Sequence, residues 1–469
     1  MPYAESHLGT LFYVIEWLIR LGAVGVVPLR RPPAAARAWL LMIFFLPVPG
    51  LLLFLAIGSP RFPQWRTERF HRLRPFFAAL SERLAIAAPP SEKEAPIAAF
   101  AERLGYLPAT HGNRIELIDD YDAVIARLIA DIDTARHHVH LLVYIFADDA
   151  VGRAVIAALE RAVRRGVACH VMIDPVGSLR WMRAVRQRLQ EAGVELVEAL
   201  PFTLWRRRTR RDMRNHRKLF VIDGRVGFAG SQNIIARDFR PGVVNRELVC
   251  RVEGPVVAEM AGVVRADWCL ETDHLPGGEP DIPPPVGDAS AQLLPSGPDY
   301  PLEGFETLLT WQLHQARERV VIATPYFIPD EDVLGAMRTA AARDVTIDLI
   351  LSATVDQHLV NLAQRSYYDD LLRAGVRVHL YRDYLLHAKN VSIDGALAIV
   401  GSSNVDLRSF QLNAEVSLLL FDAGSVAAVE AVQHGYLAHS DTLSLAAWRR
   451  RPLPIRLLEN IARLMGSLF

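Results

Sequence analysis

Two stretches of this 469-residue chain, NHRKLFVIDGRVGFAGSQN and LHAKNVSIDGALAIVGSSN, carry the same arrangement of reactive side chains. Each contains His-x-Lys-x4-Asp, as His216, Lys218 and Asp223 and as His387, Lys389 and Asp394. Each then places Gly-Ser-x-Asn at one offset, giving Ser231 and Asn233 in the first copy and Ser402 and Asn404 in the second. On a strand, residues i and i+2 point to one face, so each histidine projects with its lysine. Two such pairs converging on one cleft suit a tetrahedral phosphodiester. One imidazole attacks phosphorus to form a phosphohistidine while the other protonates the leaving alkoxide. Lysines and asparagines hold the non-bridging oxygens and stabilise the pentacoordinate transition state. The arrangement calls for no metal or other cofactor: His-x-Lys is poor ligand spacing, and no carboxylate cluster competes with it.

A nucleophilic histidine needs a fixed tautomer, usually from a carboxylate on its other ring nitrogen. Asn245-Arg246-Glu247 and Asn413-Ala414-Glu415 recur at the start of apolar strands, which makes Glu247 and Glu415 the candidates. Asp223 and Asp394 stand just before glycine at strand-to-turn positions. For these two, direct chemistry and a loop-holding role both stay open.

The repeat extends to the elements that must position these groups. HVHLLVYIFADD, GRAVIAALERAVRRG and VACHVMIDPVGS read as strand, helix and strand, and RVVIATPYFIPDED, VLGAMRTAAARD and VTIDLILSATVD repeat that order. The predicted fold is α/β: two homologous α/β/α sandwich lobes related by a pseudo-dyad. They are expected over residues 111–271 and 302–440, joined by a Pro/Gly-rich linker at 272–301, with a connector at 75–110 before them. Residues 441–469 form an amphipathic segment. There Leu457, Leu458, Ile461, Leu464, Met465 and Leu468 line one face, with Glu459, Asn460 and Arg463 opposite. Membrane contact and docking on the protein body are both open for it.

Residues 1–74 are of another kind. Two apolar runs, about 8–29 and 38–58, suggest a membrane-spanning hairpin. Arginines follow both runs, however, and a simple hairpin cannot keep both groups on one side. Pro47, Pro49 and Gly50 in the second run offer a broken, re-entrant segment instead. Nine arginines against Glu5, Glu16 and Glu68 give this region a charge of +6, suited to an anionic membrane surface.

Over the whole chain 52 basic residues balance 52 acidic ones, which gives no electrostatic case for nucleic acid. At 51% hydrophobic, the chain is not disordered. Cys169, Cys250 and Cys269 are too scattered for a disulfide framework and read as small buried residues in a reducing compartment. Of the 52 basic residues only Lys93, Lys218 and Lys389 are lysines, and two of these three lie in the repeated motif. Arg206, Arg207, Arg208, Arg210, Arg211 and Arg214 crowd the approach to His216, where they would recruit anionic headgroups beside Phe202, Leu204 and Trp205.

These motifs resemble those of the phospholipase D superfamily. RPPAAARAWLLMIFFLPVPGLLLFLAIG, EAGVELVEALPF and VGSSNVDLRSFQLNAEV narrow the likeness to the bacterial cardiolipin synthases, over nearly the whole chain. The resemblance implies transfer of a phosphatidyl group between two phosphatidylglycerol molecules, giving cardiolipin and glycerol through a phosphatidyl-histidine and without a metal. It implies His216 as nucleophile and His387 as acid/base in a bacterial inner membrane. Arg61, Arg66, Arg69, Arg72 and Arg74 after the second apolar run put the lobes on the cytoplasmic side. Hydrolysis to phosphatidic acid is the alternative, since water and alcohols attack the same intermediate. A nucleic-acid phosphodiesterase and a non-catalytic lipid-binding scaffold are further ones. The first half carries Asn-Ile-Ile-Ala-Arg-Asp where the second has Asn-Val-Asp-Leu-Arg-Ser-Phe, so the lobes are not equivalent.

Overall fold

The computed structural model describes residues 2–31, 33–58, 62–89, 95–201, 213–275, 280–300 and 302–465. Arg206, Arg207, Arg208, Arg210, Arg211, Phe202, Leu204, Trp205 and Leu468 lie outside them. Two lobes share one 15-stranded sheet. From the centre outward the first lobe runs Thr110–Ile118, Val249–Glu253, Val226–Gly230, Leu219–Ile222, His138–Val143, Ala168–Ile173 and Glu195–Glu198. The second runs Ala289–Ser296, Glu415–Leu420, Leu397–Gly401, Asn390–Ile393, Arg319–Ala323, Thr346–Ser352 and Arg377–Tyr381, then adds an edge strand, Ser440–Thr442. The two orders match strand for strand about the antiparallel seam of Thr110–Ile118 with Ala289–Ser296, which is the pseudo-dyad expected from the duplication. The seam strand Ala289–Ser296 falls inside the stretch read as linker. Its ASAQLLPS lacks alternation because seven of its eight residues are buried.

Three apolar clusters hold the layers. One packs under the outer helices of each lobe, and a third lies between lobes, centred on the helix Val256–Thr272, which is buried from Val256 through Leu270. The connector joins this core: Phe77, Leu80 and Leu84 of helix Arg74–Ala87 are at most 1% exposed. Cys169, Cys250 and Cys269 are buried free thiols.

The glycines and aspartates of the repeated motif have backbone reasons. A Cβ on Gly230 would lie 2.4 Å from the Leu248 carbonyl oxygen, and one on Gly401 2.4 Å from that of Val416. Only glycine lets these strands approach, which seats Ser231 and Ser402 beside the Glu247 and Glu415 segments. Asp223-Gly224 and Asp394-Gly395 are turns with positive φ at both residues, the geometry that two-residue hairpin connections favour. The Asp223 carboxylate accepts hydrogen bonds from the backbone N–H groups of Arg136, His137 and His138 at 2.7–2.9 Å. Asp394 does the same for Arg317, Glu318 and Arg319. Burial alone would raise the Asp223 pKa, but these three bonds outweigh it and lower the value. A four-residue strand separates each aspartate from the His-x-Lys end, and the bonds of each carboxylate are those of a turn-holding residue.

The N-terminal region differs from a two-span hairpin. α1 (Pro2–Arg30) contains 22 residues, Gly9–Arg30, long and apolar enough to cross a membrane. α2 (Pro33–Phe45) and α3 (Pro47–Ile57) have 13 and 11 residues, about 20 and 16 Å, against a hydrocarbon core of about 30 Å. The chain reverses at Leu46, Pro47 opens α3, and Gly50 packs on the Ile43 backbone. Arg31 donates to the carbonyls of Ile57 and Gly58 at 3.2 and 2.7 Å. The α2–α3 pair therefore begins and ends at one place, as the re-entrant reading requires.

The C-terminal helix Leu453–Met465 docks by its polar face. Glu459, 1% exposed, accepts from Arg365 and Arg451 at 2.9 and 2.5 Å, and Arg463 donates to Asp370 at 3.1 Å. Leu457, Leu458, Ile461 and Leu464 point outward, 48–74% exposed.

Replacing Asp394 or Asp223 by alanine removes three charge-assisted bonds and should destabilise the fold by about 2–4 kcal/mol. Asparagine should recover part of that loss, read by thermal melting, with turnover of the folded fraction retained. Unchanged melting with lost turnover would return these aspartates to the chemistry.

Candidate active site

His216 and His387 meet in one cavity of about 370 Å³ between the lobes, lined also by Asn233, Asn404, Asn245 and Asn413. Short cross-lobe pairings hold each histidine. The backbone N–H of His216 donates to the Ala414 carbonyl at 2.8 Å, and that of His387 to the Arg246 carbonyl at 2.8 Å. Leu385–Leu386, just before His387, pairs in parallel with Asn245–Arg246 of the first lobe.

The carboxylates are exchanged in the same way. His216 Nδ1 lies 3.0 Å from Glu415 of the second lobe, and His387 Nδ1 lies 2.7 Å from Glu247 of the first. With Nδ1 engaged, Nε2 is the nitrogen each ring offers to the cavity. Burial pushes His216 down to about 4, against the pull of Glu415, and lowers His387 against Glu247. His216 is thus neutral near pH 7 and its Nε2 lone pair is available. Burial alone would raise both glutamates, but the facing histidine, helped by nearby lysine charge, outweighs it and holds each below its usual range.

Lys218 and Lys389 are 2% and 3% exposed, and their ammonium groups donate to the carbonyls of His216 and His387 at 2.6 and 2.5 Å. Burial lowers Lys218 to about 7 and Lys389 to about 8, opposed mainly by Glu415 and Glu247 respectively. A phosphodiester anion arriving in the cavity favours both ammonium forms.

The serines are supports. Ser402 Oγ donates to Glu415 at 2.5 Å and accepts from the Val416 N–H at 3.0 Å, while Ser231 Oγ exchanges bonds with the backbone of Leu248. Asn233 accepts from the Ile145 N–H through Oδ1, which leaves its amide NH₂ for the cavity it lines. Glu306, Asp330 and Asp332 form the one group of metal-ligand type among the described residues, and none of them lines the cavity.

Sequence reasoning passed over several wall residues. Tyr144 meets the His216 ring edge-on at 4.8 Å, with the Lys218 ammonium 5.5 Å from its own ring centre. Arg217, the variable residue of the first His-x-Lys, is 3% exposed and pairs with Asp267. It also donates to the carbonyls of Glu415 and Ser296 at 2.9 and 3.1 Å, a brace the second motif lacks because Ala388 stands there. Tyr326, Asp356, Arg240 and Arg408 line the cavity too. Arg217 lies inside the motif but does not line the cavity; the other residues lie outside the motif, and the fold alone brings them together.

Glu415→Gln should lower kcat by about 10²–10⁴, although Glu415 and His216 lie in different lobes. Activity near the wild-type rate would sink the crossed assignment. Because kcat/KM reports the free enzyme, it should fall as pH rises through 7–8 and the lysines lose their protons. A flat profile from pH 6 to 9 would exclude that role.

Comparison with known proteins agrees with this geometry. The family model described as "Cardiolipin synthase, PLD-like domain" matches residues 128–268 and 309–434. Cardiolipin synthase A of Serratia proteamaculans is 35% identical over 96% of this chain and 98% of its own length. The Pectobacterium carotovorum protein of that name is 34% identical over 97% and 98%. Among solved structures, the phosphatidylserine synthase of Haemophilus influenzae Rd KW20 shares the fold, with a TM-score of 0.61 and 16% identity, covering 80% of this chain and 99% of that one. The chain belongs to the cardiolipin synthase family and is a phospholipid phosphatidyltransferase with the phospholipase D-like fold.

Proposed function

We propose that the enzyme joins two phosphatidylglycerol molecules into cardiolipin and glycerol through a phosphatidyl-His216 intermediate. The observation that carries this reading is the pair of glutamate-fixed imidazoles in one cavity, with a buried lysine behind each. His216 Nε2 attacks the donor phosphorus and forms a P–N bond as the P–O bond to the headgroup glycerol breaks. The negative charge of the bound phosphodiester favours the imidazolium form of His387, whose Nε2–H gives its proton to the departing alkoxide. The terminal hydroxyl of the second phosphatidylglycerol then loses its proton to His387, and its oxygen takes the phosphorus from His216. Both histidines end as they began. Lys218, Lys389, Asn233 and Asn404 hold the non-bridging oxygens through both steps.

For localisation, we infer that α1 spans the bilayer and that α2–α3 enters and leaves it on the face where α1 ends. Arg30, Arg31 and Arg37 then share that face with Arg66, Arg69, Arg72 and Arg74, which the positive-inside rule assigns to the cytoplasm of a bacterial inner membrane. The outward apolar stripe of helix Leu453–Met465 adds an interfacial contact.

Purified enzyme given phosphatidylglycerol alone should release cardiolipin and glycerol in equal amounts. Phosphatidic acid as the main product would overturn transfer in favour of hydrolysis. For the intermediate, His387→Ala should still react with a nitrophenyl phosphodiester, whose leaving group needs no proton, and should accumulate phosphorus on His216. Labelling elsewhere would reverse the roles of the histidines. Replacing Leu457 and Leu464 together by glutamate should cut turnover on vesicles several-fold while sparing short-chain monomeric substrate. Equal rates on vesicles would exclude the interfacial contact.

A further inference from the structure

The two His–Lys pairs leave one requirement of phosphatidyl transfer unmet. An activated phosphatidyl group is open to water as well as to a lipid alcohol, so the acceptor headgroup must be seated. Its own phosphodiester also needs a cation other than the lysines engaged on the reacting phosphorus.

One part of the cavity wall has the chemistry for this. Asp356, with a side chain 3% exposed, follows the strand Thr346–Ser352 and lines the cavity. Its Oδ2 accepts from the Tyr326 hydroxyl at 2.6 Å and from the guanidinium of Arg240, which reaches across from the first lobe. Gln357 donates to the Tyr326 oxygen at 2.8 Å, which orients that hydroxyl toward Asp356. Both described bonds of Asp356 use Oδ2, so Oδ1 is the atom it can offer to a ligand. Arg240 is 39% exposed, and it lines the cavity together with Arg408.

A carboxylate is a costly wall for a cavity that takes anionic lipids, unless it reads something on them. A hydroxyl is what a carboxylate oxygen reads, and the flanking guanidiniums offset its repulsion of phosphate. Among the described residues the first lobe has no equivalent carboxylate: Ser178 stands at the matching place, bonded to the Phe146 N–H and the Tyr144 carbonyl. After its strand Ala168–Ile173 comes Asp174, whose carboxylate is taken up by Arg214 and by the N–H groups of Asn215, Val176 and Gly177. Among the described residues the polar wall is therefore one-sided, which suits a reaction in which two phosphatidylglycerol molecules take different roles.

We propose that Asp356, Tyr326 and Arg240 form the acceptor subsite for a glycerophosphodiester bearing a vicinal diol. Asp356 Oδ1 accepts from the central hydroxyl of the acceptor glycerol, while Arg240 and Arg408 hold its phosphodiester and leave the terminal hydroxyl toward His387. This assignment rests on the transferase reading above.

The test uses full-length enzyme in mixed micelles, with phosphatidylglycerol as donor. Phosphatidylglycerol then competes as acceptor with phosphatidyl-1,3-propanediol, which keeps the terminal hydroxyl and the phosphate but lacks the central hydroxyl. Wild type should prefer the diol at least tenfold. Asp356→Ala and Tyr326→Phe should bring the preference to within threefold of unity and shift product from cardiolipin toward phosphatidic acid. Because the preference is a ratio, partial unfolding of a variant does not alter it. A wild-type enzyme indifferent to the central hydroxyl, or variants that keep its preference, would reduce the Arg240–Asp356 pair to a latch between lobes and overturn the subsite while leaving transfer intact. A wild-type enzyme that yields no cardiolipin would instead overturn the transferase reading, and the subsite with it.

Discussion

The crossed carboxylate–imidazole pairs are the interaction on which the rest of this structure depends. Each buried histidine is held by a glutamate of the other lobe, so neither lobe fixes its own imidazole alone. That requirement accounts for the continuous sheet through the Thr110–Ile118 and Ala289–Ser296 seam, and for the apolar cluster shared between lobes. It accounts as well for the short parallel pairing that ties each histidine segment to the opposite glutamate segment. A small rotation of one lobe would lengthen both His–Glu bonds at once.

Burial sets the electrostatics of the same place. Two ammonium groups, two carboxylates and two imidazoles sit out of water, and each is made tolerable largely by the presence of the others. The lysines are the loosest members, lowered to about 7 and 8 and, among the described residues, bonded to backbone carbonyls. A phosphodiester supplies the negative charge they lack, so substrate binding completes the cluster. Arginine, with its high and nearly fixed pKa and planar fork, would not respond in this way. This is a physical reason for lysine at two positions of a chain that elsewhere uses arginine almost without exception.

Much of this was legible in the sequence. The duplicated His-x-Lys announced both the internal repeat and the paired active groups, and Glu247 and Glu415 were found because they recur at one offset in both halves. Their crossing was not legible, since a linear repeat does not say which copy faces which. Asp223 and Asp394 were marked by the motif but belong to its turn, because three backbone amides per carboxylate are invisible in one dimension. Tyr326, Asp356 and Arg240 carry no repeat and no spacing, and only folding brings 240 beside 356. The apolar stripe near the C-terminus was visible, but its outward direction was decided by ion pairs of Glu459 and Arg463 with two helices distant in sequence.

Arg217 opposite Ala388 shows what carrying both halves in one chain makes available. In a symmetric dimer of identical lobes every residue appears twice, and any brace, wall or wedge placed on one side is imposed on the other. Joining the halves removes that duplication. A buried guanidinium can then brace one side while a methyl group stands on the other, and a cleft bounded by matching strands can treat its two ends differently.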